Sequence, residues 1–142
     1  MIVRMAVEPA LGESFIREAC AGGEIWSISS ADGAPAVERS DGEIAVPFWS
    51  RADRATGFVI TVATFRGFEA QAIALDTWLL GWLPQLAECG YVLGLNWSGD
   101  PEREVVFEPN EVTDRFGASW CLRRLPTRST RPAARPRCAA SG

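Results

Sequence analysis

Two segments of this chain each contain two alternating strands joined by a turn, and they limit the architectures that it can adopt. In the first segment, residues 36–48, the turn contains Asp41-Gly42, a pair that readily adopts the positive φ angles of a tight hairpin. In the second, the alternating residues 91–97 are followed by a polar loop and by a short apolar strand over 104–108. Two hairpins predict a sheet that is largely antiparallel.

Apolar residues recur at helical spacing in three segments, and we therefore expect three main helices, over residues 9–21, 77–89 and 109–116. Pro84 lies within the second helix, where it removes one backbone hydrogen bond, so a kink is expected there. A short helix should follow the first hairpin, with Ser50 as its N-cap and Gly57 as its end.

Single strands are expected over residues 24–30 and 70–75, and residues 58–65 ("FVITVATF") are assigned to a strand because of their β propensity. Pro47 lacks a backbone donor, so its strand should lie at a sheet edge or end nearby. The predicted fold class is α+β, with a largely antiparallel sheet of five or six strands. About three main helices should pack on one face of this sheet, with one short helix after the first hairpin.

The length of 142 residues favours a single domain, which we place over residues 1–122. No segment has about 18 uninterrupted apolar residues, so no membrane span is expected. The apolar run before Glu8 is too short for the centre of a signal peptide, and a cytoplasmic protein is expected.

Charge is distributed unevenly along the chain. All 14 basic residues are Arg, and six of them follow Leu122 in a segment that contains no acid. Residues 1–122 therefore carry 8 Arg against 18 Asp and Glu, a net charge of −10. An acidic body repels phosphate backbones and favours a basic protein partner.

The Arg- and Pro-rich tail, residues 123–142, has few large apolar side chains and is predicted to be disordered. It is either a solvated extension or a basic arm that folds back on the acidic body or contacts nucleic acid. Nucleic acid is not an expected partner of the rest of the chain, so any such contact would use Arg123, Arg124 and Arg128.

The absence of His and Lys excludes several kinds of catalytic site. Ser-His-Asp and Cys-His arrangements cannot form, nor can a lysine Schiff base or a lysine phosphate loop. The four Cys are widely spaced and have no His to complete a zinc site, so free thiols are expected. We therefore expect no catalytic residue, no metal and no cofactor.

Three carboxylates in two neighbouring turns, Asp32, Asp41 and Glu43, form a candidate acidic cluster. Paired carboxylates can transfer protons or hold a hard cation such as calcium. Asp-Gly pairs are also what turns ordinarily contain, and the prediction favours the turn role.

The aromatic residues divide into expected core residues and one open case. Phe48 and four tryptophans are expected in the core; these tryptophans are Trp26, Trp78, Trp82 and Trp97. Trp49 lies beside Arg51 and Arg54, and the three form a candidate binding surface because Trp and Arg dominate interface hot spots. A corner residue covered by an arginine stem would give the same pattern.

Taken in order, these segments resemble the bacterial family called domain of unknown function 2750. The resemblance covers roughly residues 10–116, and its most specific parts are "PFWS" with a downstream alanine and "WLPQL" ending in Cys89-Gly90. Residues 58–70 and the tail after Phe116 depart from the family pattern. The resemblance supports a single domain and implies no activity. The matching positions are Trp26, Pro47, Trp49, Ala55, Trp82, Leu83, Pro84 and Gly90.

Three functions are compatible with these features. The first is a small non-catalytic binding domain whose acidic surface recognises a basic protein, an immunity protein that neutralises a toxin being one concrete form. The second is an enzyme or small-ligand-binding protein that uses carboxylates and a tryptophan-lined pocket. The third is a nucleic-acid accessory protein that acts through the basic tail.

Overall fold

The computed structural model describes residues 4–100 and 104–117, and describes side chains from Gly12 onward within those ranges. The helices are α1 (Arg4–Gly22), α2 (Ala52–Thr61), α3 (Leu75–Thr77), α4 (Leu83–Cys89) and α5 (Pro109–Gly117), with a 3-10 turn at Ala63–Phe65 and a π-helix at Trp78–Trp82. The strands are β1 (Glu24–Ser29), β2 (Val37–Glu38), β3 (Ile44–Phe48), β4 (Glu69–Ala74), β5 (Val92–Leu95) and β6 (Val106–Phe107). The tail, including Arg123, Arg124 and Arg128, lies outside the described residues.

The strands form two sheets rather than the single sheet that we predicted. β1 and β4 make an antiparallel pair, and the other strands lie in the order β2-β3-β5-β6. Both predicted hairpins are confirmed as antiparallel, but the central strands β3 and β5 are parallel. The α+β class is therefore confirmed. Three of the four strand pairings are antiparallel, as the prediction of a largely antiparallel arrangement requires, but the prediction of a single sheet is wrong. Parallel neighbours need a long crossover, and α2 to α4 supply it.

Residues 58–65 are not a strand, contrary to the sequence prediction. α2 continues through Gly57 to Thr61, and the 3-10 turn follows. Ala55 and Phe58 are buried on one face of α2, whereas Ile60 is exposed on the other. The apolar residues therefore have helical spacing, and this spacing overrides the β propensity of Val59, Ile60 and Thr61.

The predicted helix over 77–89 contains a π-helix, Trp78–Trp82, which ends two residues before Pro84. The backbone N–H of Leu83 donates to the carbonyl of Trp78, five residues back. Pro84 has no N–H with which to bond the carbonyl of Leu80, and its ring would crowd that carbonyl. The wider π turn therefore lies where the helix accommodates the proline.

Phe48 and Trp49 are adjacent and both fully buried, but they belong to different clusters of the core. Phe48 makes edge-to-face contacts with Trp78 and Trp82, in the cluster that α1, α4 and α5 also enter. Trp49 packs in a second cluster, under α2. Successive side chains of a strand point to opposite faces, so the four-stranded sheet is covered on both sides rather than on one.

Cys20 and Cys89 are both disulfide-bonded, which corrects the prediction of free thiols for these two residues. Cys121 and Cys138 lie outside the described residues. They lie at the ends of α1 and α4 and pack, half-buried, against the first core cluster. Within residues 4–100 and 104–117, no helix is long and apolar enough to cross a membrane.

Candidate functional site

The parallel strands β3 and β5 end side by side, and the residues that follow them form a hydrogen-bonded network. Asn96, just after β5, has a left-handed backbone with φ of 55°, and its N–H donates to the carbonyl of Phe48 at 2.8 Å. Its side-chain oxygen accepts from the backbone N–H of Ser50 at 3.0 Å, and its Nδ2 donates to Ser50 Oγ at 3.1 Å. Asn tolerates the left-handed region better than most residues, which suits it to this corner.

The same network continues to α1 and α2 through a buried hydroxyl and an ion pair. Ser50 Oγ donates to Glu18 Oε1 at 2.6 Å, and Arg54 donates to both oxygens of Glu18 at 2.9 and 2.7 Å. The hydrogen bonds from Arg54 lower the pKa of Glu18, although partial burial opposes them. Glu18 in turn raises the pKa of Arg54. The prediction that Ser50 caps α2 is wrong: the N-cap is Arg51, without a side-chain bond.

Beside this network lies a groove of about 660 Å³, which we call the tryptophan groove. Arg51 and Asp53 form an ion pair on its rim, with Nε–Oδ1 and Nη2–Oδ2 distances of 3.0 and 3.2 Å. The hydrogen bonds from Arg51 lower the pKa of Asp53. The charges in and beside the groove are therefore balanced. Its lining residues are Glu18, Ala21, Gly22, Trp26, Ser50, Arg51, Ala52 and Asp53.

Trp49 does not form the binding surface for which it was a candidate. Its side chain is fully buried, and its indole N–H donates to the carbonyl of Trp97 at 2.8 Å. Arg51 and Arg54 are exposed, as an interface would require. The aromatic residue beside them is Trp26, which is half-buried and lines the groove. The sequence predicts Trp26 in the core. Its backbone bridge to Trp49 instead places it beside Ser50 and Arg51, at the groove.

The opposite ends of β3 and β5 border a second groove of about 370 Å³, the acidic groove. The parallel register pairs Ala45 with Val92, so the β2–β3 turn lies next to the corner between α4 and β5. Asp41 and Glu43 contribute exposed carboxylates from that turn. The groove is lined by Asp41, Gly42, Glu43, Ile44, Cys89, Gly90 and Tyr91.

The predicted acidic cluster is only partly assembled. Asp41 Oδ1 accepts from the backbone N–H of Glu43 at 2.9 Å, and Gly42 has a φ of 91°, as the turn prediction requires. Asp32 lies in a separate turn, where its N–H donates to Ser30 Oγ at 3.2 Å, and it does not line the groove. No group of three His, Cys, Asp or Glu that could hold a metal occurs in the described part of the chain.

Arg39 is the only basic residue between Arg17 and Arg51 in the sequence, and its side chain is engaged away from the acidic turn. Its guanidinium lies 5.7 Å from the ring centroid of Trp97 and 3.8 Å from Glu104. Burial raises the pKa of Glu104, and Arg39 opposes this effect. The sequence alone did not indicate this contact of Arg39. Because Arg39 is engaged there, Asp41 and Glu43 have no ion pair with any described cation.

The two ends of the strand pair differ in what they can do chemically. Ser50 is 3% exposed, and its hydroxyl donates to a carboxylate whose pKa is lowered. Such a carboxylate is a weak general base and would activate the Ser50 hydroxyl poorly as a nucleophile. The geometry is better suited to holding Ser50 in place. At the other end, exposed carboxylates border a groove and are available to a cationic group from outside.

A family model described as "Protein of unknown function (DUF2750)" matches residues 12–116, so the chain belongs to that family. This confirms the family resemblance seen in the sequence. The match includes both grooves and ends within α5. No curated protein matches the chain.

Proposed function

We propose that this protein is a small non-catalytic binding domain whose acidic surface, centred on the acidic groove, recognises a basic segment of a partner protein. The observation that carries this proposal is the pair of exposed carboxylates, Asp41 and Glu43, in a groove next to half-buried Ile44 and buried Tyr91. The groove offers charge for a guanidinium or ammonium group and apolar surface for its alkyl stem.

The charge of the described surface as a whole supports the same kind of partner. Twelve Asp and Glu side chains are exposed against four Arg, so the field around the domain is negative. Complementary charge speeds the encounter of two proteins and makes association sensitive to salt. The exposed residues counted here are Glu13, Glu24, Asp32, Glu38, Asp41, Glu43, Asp53, Glu69, Glu88, Asp100, Glu108 and Asp114, with Arg17, Arg51, Arg54 and Arg66.

The proposal is tested with a fluorescently labelled nona-arginine peptide, whose anisotropy reports binding to the full chain. We expect the combined Asp41→Asn and Glu43→Gln variant to weaken binding several-fold. A matched control, Glu24→Gln with Glu69→Gln, removes the same charge from exposed positions at the two ends of the β1–β4 sheet. We expect it to weaken binding much less.

An equal loss of affinity in the two double variants would mean that peptide binding depends only on net charge. This result would refute recognition at the acidic groove. Binding that does not weaken between about 50 and 500 mM salt would also contradict the proposal, because exposed charge pairs are screened over that range.

A further inference from the structure

The acidic groove has a candidate ligand within the same chain. The segment after Leu122 carries six Arg and no acid, whereas residues 1–122 have a net charge of −10. We infer that this Arg-rich segment, residues 123–137, binds the acidic groove of its own chain and competes there with a basic partner. The inference rests on the proposed function, because it assigns a regulator to the same surface.

The distances within the fold permit such a contact. α5 packs against α4, and the groove includes Cys89 and Gly90 at the end of α4. These helices have 9 and 7 residues, or lengths of about 14 and 10 Å at the standard rise. With packed helix axes about 8–10 Å apart, the end of α5 lies within about 30 Å of the groove.

The sequence after α5 is long enough to cover that distance. α5 ends at Gly117, and Arg123 and Arg137 follow it by 6 and 20 residues. An extended chain spans about 3.3–3.6 Å per residue, which gives reaches of about 20 Å and about 70 Å. The basic residues in this window are Arg123, Arg124, Arg128, Arg131, Arg135 and Arg137.

Charge also favours the acidic groove, rather than the tryptophan groove, as the docking site of the Arg-rich segment. At the tryptophan groove, Glu18 and Asp53 already hold Arg54 and Arg51. Asp41 and Glu43 have no such cation among the described residues, because Arg39 lies over Trp97. A tethered ligand acts at an effective concentration of about millimolar, so a weak contact suffices to compete.

The test uses the full chain with all six tail arginines changed to Gln, compared with the unchanged chain, in the nona-arginine binding measurement. We expect the neutral tail to increase affinity for the peptide by about 2- to 10-fold at low salt. Neutralising the tail also makes the whole protein more acidic. The comparison is therefore repeated in the Asp41→Asn, Glu43→Gln background, where we expect the gain to disappear.

A gain of equal size in both backgrounds would show a long-range charge effect and overturn docking at the groove. No gain, with binding still dependent on Asp41 and Glu43, would also overturn the inference but leave the proposed function intact.

If neither chain binds nona-arginine at the groove, the proposed function fails, and docking is judged by backbone amide chemical shifts alone. Shift differences between the Arg and Gln tails at residues 41–44 and 90–91 would support docking without a partner. No difference at those residues would overturn it.

Discussion

The two ends of the parallel strands β3 and β5 use charge in opposite ways. At the carboxyl ends, Glu18, Ser50, Arg54 and Asn96 satisfy one another through hydrogen bonds that join α1, α2 and β5. At the amino ends, Asp41 and Glu43 border the acidic groove without an ion pair to a described cation. Polar groups at the first end therefore join elements of the fold, whereas the proposed function assigns the exposed carboxylates at the second end to a basic partner.

This comparison predicts that substitutions at the carboxyl ends change stability and that those at the amino ends change binding. The largest effect should come from Trp49→Ala, because the Trp49 side chain is fully buried and its N–H bonds the carbonyl of Trp97. We expect a loss of about 3–5 kcal/mol in the free energy of unfolding, measured by urea denaturation.

Trp26→Ala is the matched control for that variant, because Trp26 pairs with Trp49 through the backbone but is only half-buried. It should cost clearly less stability. Equal losses in the two variants would contradict the assignment of Trp49 to the core and Trp26 to the groove.

The second prediction concerns the buried hydroxyl of the network. Ser50→Ala removes the donor to Glu18 and the acceptor for Asn96, so we expect a loss of about 1–3 kcal/mol in the free energy of unfolding. Ser98, which is exposed, provides the control, and Ser98→Ala should leave stability nearly unchanged. Nona-arginine binding by the folded Ser50→Ala protein should equal that of the unchanged chain.

The third prediction separates two carboxylates by the pH dependence of stability. The pKa of Glu18 is lowered from 4.5, so its contribution is present above that pH and lost as pH falls through the folded-state pKa. The pKa of Glu104 is raised from 4.5 because burial favours its protonated form. Its contribution to stability is therefore present at low pH and is lost as pH rises through the folded-state pKa.

Glu18→Gln should therefore be less stable than the unchanged chain at neutral pH, with a difference that shrinks below pH 4.5. Glu104→Gln should gain stability relative to the unchanged chain as pH rises above 4.5. Denaturation curves collected across pH test both signs, and the same sign for both variants would refute the opposite environments of the two groups.

The smallest effect on stability should come from the acidic groove itself. Asp41→Asn with Glu43→Gln keeps the side-chain acceptor of the turn and removes only exposed charge, so unfolding should change by no more than about 0.5 kcal/mol. A loss comparable to that of Ser50→Ala would show that these carboxylates hold the fold, and the contrast between the two ends would then fail.

Features encoded by neighbouring residues could be predicted from the sequence. The Asp41-Gly42 turn, both hairpins, the three main helices and the burial of Phe48 all follow from local periodicity and turn chemistry. The parallel pairing of β3 with β5 could not be predicted in this way, because the two strands meet only after a crossover of several helices. The carboxyl-end network was missed for the same reason, since Glu18, Ser50 and Asn96 come from three separate segments.

The prediction that Trp49 forms a binding surface failed because the direction of its side chain depends on the fold around β3. Trp49 follows buried Phe48 on the strand and points to the other face, where α2 covers it. The sequence places the end of α2 at Gly57, but this glycine lies inside the helix, which continues to Thr61. The engagement of Arg39 by Trp97 and Glu104 likewise depends on the fold, and it explains why the charge of the acidic turn is left uncompensated.

Recognition at the acidic groove is tested by backbone amide chemical shifts recorded while the full chain is titrated with nona-arginine. We expect the shift changes to concentrate on residues 41–44 and 90–91, while the shifts of Trp26 and Arg51 stay nearly constant. Shifts centred on Trp26 and Arg51, or spread evenly over all the exposed acids, would contradict it.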